Sequence, residues 1–509
     1  MIESTDEDQY FPRVPYFYNG KNVFLTGATG FVGAVLLETL LRCIPGIKSI
    51  YILVRSKKNV QPEIRKEQIF NKKIFEKLKE ETPELLEKVH LIAGDISLPN
   101  LGMKEADAQL LIQEVSIIFH CAAIISFTKP LDFILRSNTL SLCSVLELCR
   151  KMRKLDALVY TSTVYSNCNR LNFPLKEMVY RLPFHANQFI DLLINQDNVK
   201  LEDLVGHCKP DWPNFYTFSK CLAENVIMDT ASDLPIAIVR PSVVINTWKK
   251  PIPGYAEENS GIITLIVGAG KGFVKVFHAD PNNKMNLVPV DIVSNAHVLA
   301  AWRVGTKRCA SPFVVNCTAT ERFDIKLCEI NKILVELGDQ FPLPQSFEEH
   351  SRMIIVPNKF LFFICKVYYH YLPAVVLDGF IRILGKKPRI YSLYRFLDKV
   401  TNALDFFSFH CFEIERNNLE YLDKGIPEED RKDLYLDSSD VVYSDMTLSL
   451  PKGSPFYDWK IDRKSQSERQ KVKNRRHILI KSIQWTFLTI CCLLIYWMFS
   501  LFFFSNKIL

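Results

Sequence analysis

The sequence predicts an α/β chain: a doubly wound parallel sheet, then a smaller, mainly helical C-terminal domain and a C-terminal transmembrane helix. Three observations predict it. Short apolar runs of strand type alternate with helical stretches from about residue 22 to 318, the first run enters a turn with glycines at 27, 30 and 33, and Ile483 to Phe504 holds 22 residues without a charge. Strands separated by helices pair in parallel, because each crossover helix covers the sheet face that it passes. At 509 residues the chain exceeds one simple core. Its 48% apolar and 23% charged residues are ordinary for a folded protein, and its net charge of +7 is modest for the size, so no nucleic-acid partner is expected.

The N-terminus, Met1-Ile-Glu-Ser-Thr-Asp-Glu-Asp, is acidic and polar where a signal peptide is basic and then apolar. The 14 cysteines form no Cys-x-x-Cys pair, which fits neither a zinc site nor a disulfide framework, so reduced thiols and no metal are expected. In Val23-Phe-Leu-Thr-Gly27-Ala-Thr29-Gly30-Phe31-Val32-Gly33, a strand passes through a tight loop into a helix. Glycines belong there because a dinucleotide pyrophosphate lies against bare backbone N–H groups at a helix N-terminus, where side chains would block it. Gly27, Thr29, Gly30, Phe31, Val32 and Gly33 are therefore the expected cradle. The next strand, Ile50 to Val54, runs straight into Arg55-Ser-Lys-Lys. An acidic residue here would suit a ribose 2′-hydroxyl, whereas cations suit a 2′-phosphate, so the expected cofactor is NADPH with Arg55 as its main contact.

Residues 61–88 read as a charged amphipathic helix covering one sheet face. Val89 to Ile96 and Ser116 to Ala123 read as two further buried strands. Asp95 is placed to set a carboxylate by the adenine, and His120-Cys121 to pass beneath the nicotinamide ribose. Cys121 reads as packing rather than as an acyl acceptor. Asn138 reads as a helix N-cap. The strand Ala157 to Tyr160 ends in Thr161-Ser162-Thr163, and Tyr216-Thr-Phe-Ser-Lys220 follows. A spacing of four puts Tyr216 and Lys220 on one helix face, a turn apart. An ammonium beside a phenol favours the phenolate and lowers the tyrosine pKa towards the operating pH, which suits a general acid. A hydroxyl from Ser162 or Thr163 is expected to steady the substrate carbonyl oxygen. Ile236 to Arg240 then runs into Pro241-Ser242, a turn suited to closing the nicotinamide pocket. The segment 247–285 is irregular, order returns at Val288 to Val293, and Phe313 to Thr318 reads as a late strand in which the Asn316-Cys-Thr glycosylation match is empty.

Taken together, Gly27-Ala-Thr-Gly30-Phe-Val-Gly33, Ser162-Thr163, Tyr165-Ser-Asn-Cys-Asn-Arg170, Glu177-Met-Val-Tyr180 and Tyr216-Thr-Phe-Ser-Lys220-Cys-Leu-Ala-Glu224 resemble the alcohol-forming fatty acyl-CoA reductases. The likeness continues through Leu384-Gly-Lys-Lys-Pro-Arg-Ile-Tyr-Ser-Leu-Tyr-Arg395 and Glu428 to Tyr435, with Asp437 and Asp440, and spans about 20 to 450. The resemblance implies an extended Rossmann-type sheet, NADPH, and reduction of a long-chain acyl-CoA to a primary alcohol in two hydride steps. It also implies Tyr216 as acid, Lys220 at the nicotinamide ribose, and Thr163 or Ser162 on the oxyanion, with position favouring Thr163. Two other readings stay open: a membrane-bound extended reductase of hydroxysteroid type, and a lipid-binding scaffold without turnover.

The domains expected are 1–345 for the cofactor, 346–450 for the C-terminal reductase domain, a basic linker at 451–477 and a membrane anchor at 478–509. Residues 353–383 are aromatic-rich but broken by Pro357, Lys359, Lys366 and Pro373, so they read as a buried helical pair, an acyl tunnel or a segment dipping into a bilayer surface. Residues 483–504 give about 33 Å of helix against a hydrocarbon core of about 30 Å. The basic flank before them faces the cytosol. A single-pass protein with a cytosolic catalytic part follows, in the endoplasmic reticulum or peroxisome, with lipid bilayer and long-chain acyl-CoA as partners.

Overall fold

A computed structural model describes residues 12–455, with interruptions at 58, 209, 258–260, 321–324 and 341–352, together with scattered positions between 478 and 493. Seven strands form one parallel sheet: β1 (Asn22–Thr26), β2 (Ser49–Val54), β3 (Val89–Ala93), β4 (Ile117–His120), β5 (Ala157–Thr161), β6 (Ile236–Pro241) and β7 (Phe313–Cys317). Their order across the sheet is β7-β6-β5-β4-β1-β2-β3. The sequence order reverses between β1 and β4, and in open α/β sheets the ligand crevice lies at the carboxyl ends of the strands beside that switch.

Period-two alternation sorts the strand side chains. Val23, Leu25, Ile50, Ile52, Ile117 and Phe119 enter one core, beneath helices α1 (Phe31–Cys43) and, late in the chain, Val290–Thr306. Phe24, Leu53, Ile118, Leu158 and Tyr160 enter the other, beneath α2 (Ser141–Lys151) and α3 (Phe215–Thr230). Both faces are thus buried, which is why these strands read as unbroken apolar runs.

The chain divides into two units that interleave in sequence. The first takes residues up to Ile262, Met285–Ile325 and Cys411–Pro455; the second includes Ile263–Lys284 and Lys326–His410. This division does not follow the boundary at 345, because residues 411–455 group with the sheet. The carboxylate of Asp430 takes two hydrogen bonds from Arg13 (2.7 and 3.1 Å) and one from the Val14 amide (2.9 Å). Buried Asn316 of β7 donates to the carbonyls of Leu175 (2.9 Å) and Glu415 (2.8 Å), so its side chain is structural.

In the second unit, Val276–His278 pairs in parallel with Ile354–Val356 over a small core of Val276, Val356 and Phe362. Residues 359–383 form one continuous helical run rather than a broken pair, through Lys359–Lys366, Val367–Tyr371 and Leu372–Ile383. By length and composition it could cross a membrane, a test that a core helix also passes. Two further expectations shift. The charged stretch 61–88 is four short helical pieces, broken near Asn71 and Pro83. Asn138 lies inside the helical run that leads into α2, not at its start. The anchor at 483–504 falls outside the described residues apart from isolated positions.

Candidate active site

The carboxyl end of β1 turns at Gly27, whose φ of +86° favours glycine. A Cβ there would sit 2.7 Å from the Ala122 amide nitrogen, and one at Gly33 only 2.2 Å from the Gly27 carbonyl oxygen. These contacts let α1 close on the strand end, with Gly30 as its N-cap and Thr29, Phe31 and Val32 in the loop and first turn. The residues present therefore fit a dinucleotide pyrophosphate, since Gly27, Gly30 and Gly33 carry no side chain and no side chain caps the N-terminus of α1. The Thr26 hydroxyl ties β1 to β4, bonded to His120 Nδ1 (2.8 Å) and accepting from the Ala122 amide (3.2 Å).

At the far end of this cradle, Arg55 follows β2 and its guanidinium lies 3.4 Å from the Asp95 carboxylate beyond β3. Partial burial alone would raise Asp95, but the Ser97 amide and hydroxyl, with Arg55, hold its carboxyl below the usual range. Two further cations, not evident from local sequence pattern, stand by this end of the cradle and by its glycine loop. Arg65 donates to the Arg55 carbonyl (2.5 Å). Lys72 bonds the Thr29 carbonyl (3.0 Å) and Glu257 (2.8 Å), which anchors it to the glycine loop. Both lie in the stretch read as plain charged cover, where local pattern shows no reason to single them out.

The third corner is built by β5 and α3. Asn214 caps α3, its side-chain oxygen accepting from the Thr217 amide (2.9 Å), so Tyr216 and Lys220 fall in the first two turns. The Lys220 ammonium donates to the Thr161 carbonyl (2.6 Å) and lies 4.7 Å from the centre of the Tyr160 ring. Burial lowers Lys220 to about 8, against opposing pulls from Cys121 and Glu224. Burial pushes the Tyr216 phenol up, and no neighbouring cation offsets it. The expected acidification of the phenol is therefore absent in this state, because Lys220 is turned to the β5 carbonyl; Tyr216 stays protonated at neutral pH, as a proton donor must. Burial also raises the Cys121 thiol to about 11, which agrees with a packing role, and lowers His120 to about 3, leaving it neutral.

Ser162 and Thr163 part company. Ser162 donates to the buried carboxylate of Glu224 (2.5 Å), while Thr163 donates to the Pro241 carbonyl (3.2 Å) and accepts from the Tyr165 amide (3.3 Å). Glu224 also receives Ser166 (3.2 Å) and a two-point pair from Arg240 (2.7 and 2.8 Å), and Arg240 reaches the carbonyls of Lys176 and Met178. Asn138 clamps the backbone of Ile124 at both its amide and carbonyl and donates to Ser219 on α3. Such a network sets α3 against the β5 end and so positions the Tyr216 ring, which packs on Phe127 at 5.9 Å.

Two family models, both described as male sterility protein, match this chain: a NAD-binding model over residues 25–297 and the Sterile model over 369–457. The chain is 33% identical to fatty acyl-CoA reductase 1 of Xenopus laevis over 486 residues, 96% of this chain and 93% of that protein. It is 32% identical to the Homo sapiens protein of that name over the same shares, and 32% identical to fatty acyl-CoA reductase wat of Drosophila melanogaster over 91% of this chain and 89% of that one. Among solved structures, the reductase domain of a nonribosomal peptide synthetase from Mycobacterium tuberculosis superposes with a TM-score of 0.57 at 16% identity, covering 87% of this chain and 92% of that one. The terminal R domain of the myxalamid pathway gives 0.52 at 20% identity, over 86% and 90%. These structures share the fold.

Proposed function

This chain belongs to the fatty acyl-CoA reductase family and is a nicotinamide-dependent oxidoreductase; from that premise we propose that it reduces a long-chain acyl-CoA to the primary alcohol with two equivalents of NADPH. The balance is acyl-CoA + 2 NADPH + 2 H⁺ giving alcohol + 2 NADP⁺ + CoA. The observation that carries the reading is the placing of Tyr216 and Lys220 on α3 against the β5 end, in the same unit as the glycine cradle.

The bound coenzyme supplies hydride. Gly27, Thr29, Gly30, Phe31, Val32 and Gly33 hold its pyrophosphate, and Arg55 takes the 2′-phosphate, with Asp95 holding the guanidinium in place. Tyr216 keeps its proton until charge develops on the carbonyl oxygen, then donates it. Thr163 hydrogen-bonds that oxygen once its proton turns from the Pro241 carbonyl, a longer bond (3.2 Å) than the one by which Ser162 is held to Glu224 (2.5 Å), and Ser162 serves to hold the strand end. Lys220 binds the nicotinamide ribose and, once drawn off the Thr161 carbonyl, favours the phenolate left behind. CoA leaves after the first reduction, and the aldehyde is reduced with the same tyrosine as acid. The uncharged run 483–504 anchors the protein in the endoplasmic reticulum or peroxisome membrane with its catalytic part in the cytosol.

The test is NADPH oxidation with palmitoyl-CoA and identification of the alcohol. Tyr216→Phe should lower kcat by a factor of about 10² to 10⁴ while NADPH binding, read by fluorescence, stays intact. Wild-type alcohol output from that variant sinks the assignment, and turnover of a hydroxysteroid in place of the thioester supports the rival reductase.

A further inference from the structure

The second unit carries a helical hairpin whose tip combines exposed apolar side chains with cations alone. The run 359–383 ends at Leu384, Gly385 reverses the chain at φ +70°, and the helix Ile390–Phe409 leads away. The turn is held from within. The Asp378 carboxylate accepts from the amides of Arg389 (3.1 Å), Ile390 (3.0 Å) and Tyr391 (2.8 Å), while the amides of Leu384, Gly385 and Lys386 close back on the preceding turn at 3.0 Å each. On this fixed shape Phe380 is 56% exposed, Ile383 81% and Leu384 72%. Each leaves in water apolar surface whose burial would be favourable. Grouped on one tip they mark a contact surface.

Charge identifies the partner. Residues 379–397 contain Arg382, Lys386, Lys387, Arg389 and Arg395 and no Asp or Glu, and all five cations are exposed. Asp378, the nearest carboxylate before them, is spent on capping the turn. We propose that this tip seats in the surface of a bilayer containing anionic phospholipid. Phe380, Ile383 and Leu384 enter the acyl boundary, and Lys386, Lys387 and Arg389 meet the phosphates. A second copy is disfavoured because a symmetric contact would set these cations against themselves. The hairpin does not span: Lys366 pairs with Asp398 at 3.2 Å midway along it, and Arg382 lies exposed just before the tip. This proposed role of the tip is distinct from that of the C-terminal run and from catalysis.

The test uses the full chain in vesicles of phosphatidylcholine with and without phosphatidylserine. A photoreactive diazirine side chain replaces Ile383 or, for reference, Val199, which is 81% exposed on the first unit. On irradiation, position 383 should yield roughly tenfold more phosphatidylserine adduct than position 199, and Lys386→Gln with Lys387→Gln should remove most of that excess. Equal labelling at the two positions, a crosslink to a second copy, or an acyl-CoA adduct at 383 overturns the proposal. Should the altered chains fail to fold, hydrogen exchange on the unaltered chain decides it. Backbone amides of 379–391 slow in phosphatidylserine nanodiscs relative to phosphatidylcholine ones, and equal rates in the two overturn it.

Discussion

At Arg55 the guanidinium is shared between Asp95 and open solvent, so a 2′-phosphate can take it over without breaking a buried contact. A charge-assisted hydrogen bond of this kind contributes about 1.5–3 kcal/mol, or roughly ten- to a hundredfold in rate preference. Arg55→Ala should therefore cut the ratio of kcat/KM for NADPH over NADH by about that factor; an unchanged ratio would assign the phosphate to Arg65 or elsewhere. Arg55 is legible in sequence because it follows a strand directly. That Tyr216 and Lys220 share a helix, one turn apart, is legible through their spacing after the Ser-Thr strand end. Arg65 and Lys72 are not, since their partners are backbone carbonyls ten and forty-three positions away and nothing local distinguishes them from solvated charges. The acidity of Tyr216 also escapes sequence reading, because it depends on where the Lys220 ammonium points rather than on how far along the helix it stands.

Between α3 and β6 the paired charges of Glu224 and Arg240 are almost wholly enclosed. Removing one partner of such a pair leaves the other without compensation in a poor solvent for ions, at a cost of about 3–5 kcal/mol. Glu224→Gln should lose that much stability in a denaturant titration monitored on the first unit, and a loss below about 1 kcal/mol would show that the pair is idle. The strands themselves are visible in sequence because both sheet faces are buried, which leaves Val, Ile and Leu runs without polar interruption. The 61–88 region is misread as one helix because its charged residues are compatible with helical spacing whether or not the backbone breaks at Asn71 and Pro83. Asn138 is misread for a related reason: an asparagine suits a helix start, but here its side chain is engaged by Ile124 and Ser219.

At the scale of the whole molecule, the proposed membrane attachment has two parts, a charge-free C-terminal run and the cationic hairpin tip. A chain ending at residue 477 should leave carbonate-washed membranes for the supernatant, as read by sedimentation; persistence in the pellet would show that 353–383 anchors the protein unaided. The order of sheet and helical regions is legible along the sequence, whereas the division into units is not, because it is made by distant pairs such as Asp430 with Arg13 and Asn316 with Glu415. The chain passes between the units at 262–263, 284–285, 325–326 and 410–411. It follows that neither unit can be obtained by scissors alone: a gene shortened to codon 345 encodes a sheet missing its last clasp, and one begun at 346 encodes a hairpin without the strand Val276–His278 it rests on. Any recombinant dissection has to splice, replacing an inserted stretch by a short bridge, rather than trim from an end.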